Sequence, residues 1–350
     1  MSTSTVPPEV IAEANRLLRS PIPAGQRLRE KIIEKILMGC GLLSIAITIG
    51  IAAVLIFGAF EFFTHDEHAE YNQVDIKTPD GRIEKREVYD WMTGEDIWNR
   101  IVYFFTGSQW TANIAPHHYG ILPLLVGTMM VALLASLLAM PVGLTTAIYL
   151  SEYARPKVRA IAKPTLELLA GIPTVVYGYF AITVVTPFLA AWIPGMDNNN
   201  NMLSGGIVVG IMIIPMVASL SEDALRAVPR SLREGSIALG ANKFETSVKV
   251  VLPAALSGVF ASFILAISRA VGETMAVTLA CGSRPVLELD PRQGAATMTS
   301  FIAQVAQGDT PQGTTVFASL FAVALMLFVM TLLMNFIAQR ILRKHRQVYQ

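Results

Sequence analysis

The chain has 350 residues, 53% of them hydrophobic and 15% charged, with a mean hydropathy of +0.51. Soluble domains carry about 25% charged residues, so the composition excludes an ordinary soluble domain and describes a polytopic membrane protein. The net charge of +1 gives no reason to expect a nucleic-acid partner, and it hides an uneven distribution of lysine and arginine that sets the topology below.

In chain order, residues 1–35 form a polar, basic tail with Arg16, Arg19, Arg27, Arg29, Lys31 and Lys35. A cleaved signal peptide is not expected, because the first apolar run begins late and is too long for one. That run, residues 36–60, is long enough to span a bilayer with some tilt. A polar segment follows over 61–119, with 11 acidic residues against five basic ones; it predicts a small extracytoplasmic loop domain. Within it, Val74–Ile83 reads as a hairpin around Pro79-Asp80-Gly81. Ile97, Trp98, Ile101, Phe104 and Phe105 fall at the spacing of a short helix at the membrane interface. His65-Asp66-Glu67-His68 lacks a third dedicated ligand and reads as a solvated loop, so no metal site is expected.

Residues 120–339 hold five further apolar blocks: Gly120–Leu150, Leu168–Ile193, Met202–Leu220, Val250–Cys281 and Thr314–Gln339. Prolines 123, 141, 173, 187 and 215 concentrate in the earlier of these, where they bend spans whose freed carbonyls find other partners. Residues 340–350 form a short basic tail. Counting lysine and arginine alternately across six spans puts 19 on one side and 7 on the other, Arg269 alone lying within a span. The positive-inside rule therefore places both termini in the cytoplasm and the acidic loop outside. Cys40 and Cys281 fit no metal or redox spacing and fall near opposite faces in this topology, so they are expected to be unpaired apolar fillers.

Residues 221–249 make the longest cytoplasmic connection. Pro229 can open a helix there and Gly240 can end one. A rigid helix fixed to two spans would move both when a partner pushes it. Glu234-Gly235-Ser236, then Gly240, then Val250, Leu252 and Pro253 resemble the EAA signature of ABC importer permeases: Glu-Ala-Ala, three residues, Gly, nine residues, Ile-x-Leu-Pro. Gly235 and Ser236 replace the two alanines and Val250 replaces isoleucine. The resemblance implies a type I (MetI-like) permease fold and a coupling helix that docks on a separate ATPase.

A second resemblance narrows the first. Ser268–Thr278, reading Ser-Arg-Ala-Val-Gly-Glu-Thr-Met-Ala-Val-Thr, is very similar to a stretch of PstC-type phosphate permeases, as are Leu168–Gly178 and Gly210–Pro215. The resemblance covers roughly Tyr119 to the C-terminus. It implies a PstA-type second permease, a PstB-type ATPase dimer carrying ATP and magnesium, and a PstS-type phosphate-binding protein. It also implies a phosphate path past Arg269 and Glu273, with Thr274 and Thr278 beside them.

The residues alone support that role for the pair. Arg269 and Glu273 are the only charges between Val250 and Cys281. A charge near mid-bilayer costs about 2.5–3.5 kcal/mol on insertion scales, so one that is kept there is a functional candidate. At i and i+4 on a helix they would share a face. A guanidinium attracts an oxyanion with matching geometry; a carboxylate one turn away competes for it, so that the anion can leave. The alternative is a salt bridge that only braces the span. No Gly-x-x-x-x-Gly-Lys-Ser/Thr occurs, so the chain cannot cradle nucleotide phosphates that way; if ATP drives transport, the ATPase and its nucleotide are expected on another polypeptide, with no catalytic residue here. Two rival readings stay open at this point: a permease for sulfate or molybdate, and a proton-coupled anion carrier.

Overall fold

A computed structural model describes residues 24–64, 73–77, 83–87, 97–112, 117–196, 200–308 and 310–345. The basic tail before Ala24, the His65–His68 cluster and the Pro79-Asp80-Gly81 turn lie outside the described residues. The chain divides into two units between Val54 and Leu55. Helix α1, Ala24–Thr64, crosses that boundary. Up to Val54 its apolar side chains, Ile36, Leu43 and Ile49 among them, stand exposed, as expected of a helix solvated by lipid rather than by protein.

The hairpin exists as β1, Gln73–Lys77, paired antiparallel with β2, Ile83–Glu87, in the register Gln73 opposite Glu87 to Lys77 opposite Ile83. Helix α2, Ile97–Thr106, follows and buries Arg100 and Phe104. Of the residues whose spacing predicts the helix, Phe104 is buried while Ile97, Trp98 and Phe105 stay exposed. Phe62, Phe104, Trp110, Tyr119 and Phe301 interlock edge to face around α2. The cluster continues into Met298, Ala322 and Val323, so this segment shares its core with later parts of the chain.

The membrane helices are α3, Leu122–Ile148, extended by a wide π turn at Tyr149–Tyr153; α5, Thr174–Phe180, continued through a π turn into α6, Thr186–Trp192; α7, Met202–Arg226; and α14, Thr315–His345. Between α3 and α5 lies α4, Pro156–Leu169, with no buried residue. With α1, five helices or helix runs are long and apolar enough to span, and a sixth span is a bent pair, Lys243–Ala254 and Leu256–Val271, meeting at 72°. Six spans therefore match the sequence pattern, with two corrections to their limits. The block Leu168–Ile193 starts its span only at Thr174, after Pro173, because a residue before proline is pushed out of the helical region. Helix α7 runs on to Arg226, so Ser221 and Glu222 belong to a buried helix and not to the loop.

The main core joins α3, α7, the bent span and α14. Helices α3 and α7 approach closely through Gly206 and Gly210: a Cβ on Gly206 would stand 2.5 Å from Leu134, and one on Gly210 3.1 Å from the Ala135 carbonyl. Small residues four apart let membrane helices meet backbone to backbone. Between α7 and the bent pair lies α8, Arg230–Ala238; the pair opens with α9, Lys243–Thr246, still in the charged stretch before Val250, and runs through a π turn at Ser247–Val251 and α10, Leu252–Ala254, into α11, Leu256–Val271. After a break come α12, Met275–Cys281, and α13, Met298–Gln307.

Candidate translocation and coupling sites

The last turn of α11 carries Arg269, and Gly272 caps that helix. Glu273 and Thr274 lie in the gap before α12. The pair expected on one helical face therefore sits across a helix break, because the helix ends at Gly272. The side chains still meet, Arg269 Nη2 standing 4.0 Å from Glu273 Oε2. Their surroundings differ sharply: the Arg269 side chain is 53% exposed and that of Glu273 4%.

Glu273 is held by the break itself. Its Oε1 accepts from the Ala276 backbone N–H at 3.4 Å, in the first turn of α12. Its carbonyl accepts from Thr299 Oγ1 at 2.8 Å, which ties it to α13. Thr297 caps α13 reciprocally with Ser300, and the Met298 N–H donates to Thr128 Oγ1 of α3 at 3.0 Å. Thr299 thus satisfies a backbone carbonyl that the break exposes, as a membrane interior requires, while Thr128 anchors the start of the same helix α13 to α3. Thr278 turns its hydroxyl back onto the Thr274 carbonyl at 2.7 Å, and Thr274 donates weakly to Gly272. Both threonines line the break but spend their hydroxyls on backbone.

The Tyr177-Gly178 element packs directly on this break. A Cβ on Gly178 would lie 2.9 Å from Leu279 and 3.1 Å from the Ala276 Cα, so α5 can lie on α12 only with glycine there. The two stretches singled out in the sequence are neighbours in the fold.

The second site is α8. Pro229 precedes its first turn, and Gly240 follows Leu239 at φ +90°, the left-handed turn that glycine takes without strain. Glu234 and Gly235 face outward, and Ser236 turns inward to Thr246 Oγ1 at 3.0 Å. Beside them Ile237, Leu239 (91% exposed) and Phe244 stand out into solvent. Leu252 packs into a small core with Ala147 of α3, Leu225 of α7 and Leu232 of α8, while Pro253 is exposed in the first turn of α10.

Two ionic assemblies escape sequence reasoning. Arg233 reaches from α8 to Glu152, with Nη2 to Oε1 at 3.0 Å, and donates to the carbonyls of Val228 at 2.6 Å and Leu225 at 2.8 Å. One guanidinium thus joins α8 to the foot of α3 and the end of α7. Glu222, whose side chain is 0% exposed, pairs with Arg159 at 2.6 Å and Lys163 at 3.0 Å of α4. Burial works to lower the Lys163 pKa, but its bonds to Asp223 and Glu222 outweigh this and raise it, so it stays charged. Spacing along the chain offers only one signal of either assembly, the carboxylates at the ends of apolar runs.

Among the described residues no group of His, Cys, Asp or Glu could hold a metal ion. Cys40 is exposed and Cys281 is buried, and both are free thiols.

Residues 139–346 match the family described as "Binding-protein-dependent transport system inner membrane component". Among curated relatives, the probable ABC transporter permease protein YqgH of Bacillus subtilis is 37% identical over 66% of this chain and 74% of its own length. The phosphate transport system permease protein PstC 1 of Mycobacterium tuberculosis is 34% identical over 69% of this chain and 82% of its own. The phosphate transport system permease protein PstA 1 of the same organism is 34% identical over 50% of this chain and 54% of its own.

Proposed function

The chain belongs to the family of binding-protein-dependent transport system inner membrane components, and from that premise we propose that it is the permease subunit of an ATP-driven phosphate importer. It forms half of a translocation pathway in the cell membrane, with both termini in the cytoplasm. A PstA-type permease forms the other half, a PstB-type ATPase dimer binds ATP and magnesium, and a PstS-type protein delivers phosphate from outside. This chain carries no cofactor and no catalytic group of its own. The names of the PstC and PstA relatives support the phosphate assignment.

The observation that carries the reading is the asymmetry of the charged pair: a half-exposed Arg269 beside a buried Glu273 in a helix break. A phosphate approaching Arg269 meets a planar donor array suited to its oxygens. Glu273 is too far away and too buried to neutralise that donor fully, yet near enough to repel an anion that lingers. The site therefore attracts phosphate and releases it, as a conduction path must. Thr274 and Thr278 lie next to it with hydroxyls that can turn from backbone to substrate.

Coupling uses the other end of the same element. The apolar residues beside Glu234 and Gly235 suit a cleft on the ATPase. Gly240, Leu252 and Pro253 set the turn and bend that join this surface to α11. Closure of the ATPase dimer would draw α8 inward, and the bent span would carry that movement to the Arg269 break. The energy comes from the partner; this chain supplies the path and the lever.

The test is ATPase activity of the assembled complex in proteoliposomes, with the binding protein loaded or empty. Phosphate-loaded binding protein should stimulate hydrolysis and sulfate should not. Stimulation by sulfate, or uptake that collapses with a protonophore while ATP is present, would contradict the assignment.

A further inference from the structure

A second charged concavity lies away from the Arg269 break. A cavity of about 680 Å3 opens between the foot of α3, the inward face of α4 and the start of α8, and Arg159, Lys163, Arg226, Arg230 and Arg233 line it. The only carboxylates on its wall are Glu152 and Glu167. Glu152 is taken by Arg233. Glu222, buried behind the wall, is taken at short range by Arg159 and Lys163, leaving Arg226 at 3.9 Å as a distant third cation. Arg230 makes no ion pair among the described residues, and the Nε of Arg159 is buried without a hydrogen-bond partner. Asp223 also holds Lys163 and Glu167 stands on the wall, so the five cations face four carboxylates, and Arg226 and Arg230 are the guanidinium groups left least committed. Guanidinium groups in such a setting match phosphate oxygens.

The wall on the α4 side says more. That helix buries nothing, and beside its basic residues it exposes Val158, Ile161 and Leu168. A helix with a cationic stripe and an apolar stripe is built to lie in a headgroup region, and basic pockets between membrane helices take phospholipid headgroups.

We propose that this cavity is a binding site for a phosphate-bearing anion, with an anionic phospholipid headgroup as the source that α4 favours. Its occupant would tie together α3, α4 and α8, which meet there. The proposal does not depend on what the transporter carries.

The experiment uses the full-length protein purified in detergent. Native mass spectrometry compares retention of phosphatidylglycerol and phosphatidylcholine offered in equal amounts, and equilibrium dialysis measures binding of inorganic phosphate. Wild type should retain phosphatidylglycerol at least about fivefold over phosphatidylcholine, with the preference falling between roughly 50 and 500 mM KCl as screening grows. Arg226→Gln/Arg230→Gln should bring the ratio to about one with unchanged circular dichroism, because surface pairs contribute little to folding. Arg269→Gln should keep the full preference, which separates this site from the translocation pair. Saturable phosphate binding without lipid preference, lost in the double variant and kept in Arg269→Gln, would identify the free anion as the source. Equal retention of both lipids with no saturable phosphate binding overturns the proposal. So does a preference that salt does not weaken or that the double variant keeps.

Discussion

At the scale of single residues, the proposed function rests on charges whose solvation differs between partners. Arg269 and Glu273 stand 4.0 Å apart, one half in solvent and one buried. At 4.0 Å the contact is at the outer limit of an ion pair and its Arg269 end is half exposed, so it does little to hold the fold and the cation remains available. Glu273→Gln should preserve assembly, since the amide oxygen can still accept from the Ala276 N–H. It should lower kcat and KM of uptake together, by about tenfold in kcat, because the group that competes with the anion is gone and the ground state is bound more tightly. A KM that rises in that variant would show that Glu273 binds substrate favourably instead. Arg233 plays the opposite part, a guanidinium fully committed to Glu152 and two carbonyls. Hydrogen bonds to a charged group contribute about 1.5–3 kcal/mol each, and the partial exposure of Arg233 reduces that. Arg233→Ala should therefore destabilise the α8 region by about 1–3 kcal/mol. It should also weaken ATP-dependent uptake more than ATPase binding, as read by thermal unfolding, uptake and co-purification.

Among the elements, the break between α11 and α12 depends on close approach by α5. Gly178→Ala would place a Cβ 2.9 Å from Leu279 and 3.1 Å from a backbone carbon, and overpacking of this kind costs about 1–3 kcal/mol. The variant should melt earlier and lose uptake even though it touches neither charge. The turn between α8 and α9 has a pH dependence that can be assigned. Asn242 and Glu245 form a reciprocal cap at the start of α9. The hydrogen bond from the Asn242 N–H, helped by Lys249, holds the Glu245 carboxyl below its ordinary 4.5. A depressed carboxyl stabilises the turn above its unfolded pKa, and that contribution is lost as pH falls below 4.5 through the folded value. Amide exchange over 242–247, corrected for intrinsic rate, should quicken in that acid window, and Glu245→Gln should abolish the change. Much of this level was legible in the sequence: Pro229 and Gly240 bracket α8, proline by its fixed φ and glycine by its freedom to take a positive φ, and the apolar runs mark the spans. The break at Gly272 was not, because Ser268–Thr278 carries no proline and reads as continuous helix. What holds it open is tertiary, namely the Thr299 hydroxyl arriving from α13 at the Glu273 carbonyl.

For the whole molecule, the proposal amounts to a lever with a charged break at one point and an exposed apolar tip at another, joined by a helix pair bent through 72°. Spacing could read the tip and the charged residues separately, since each lies in a short stretch. The Glu222 and Arg233 assemblies could not be read that way, because their partners lie 59 to 81 residues apart in the chain and only packing brings them together. The central claim is that the bent span passes phosphate by way of Arg269. Uptake of radiolabelled phosphate into proteoliposomes holding the complete complex, with loaded binding protein outside and ATP inside, tests it most directly. Arg269→Gln should assemble normally and retain ATPase binding while uptake falls to background; uptake at the wild-type rate in that variant would contradict the account.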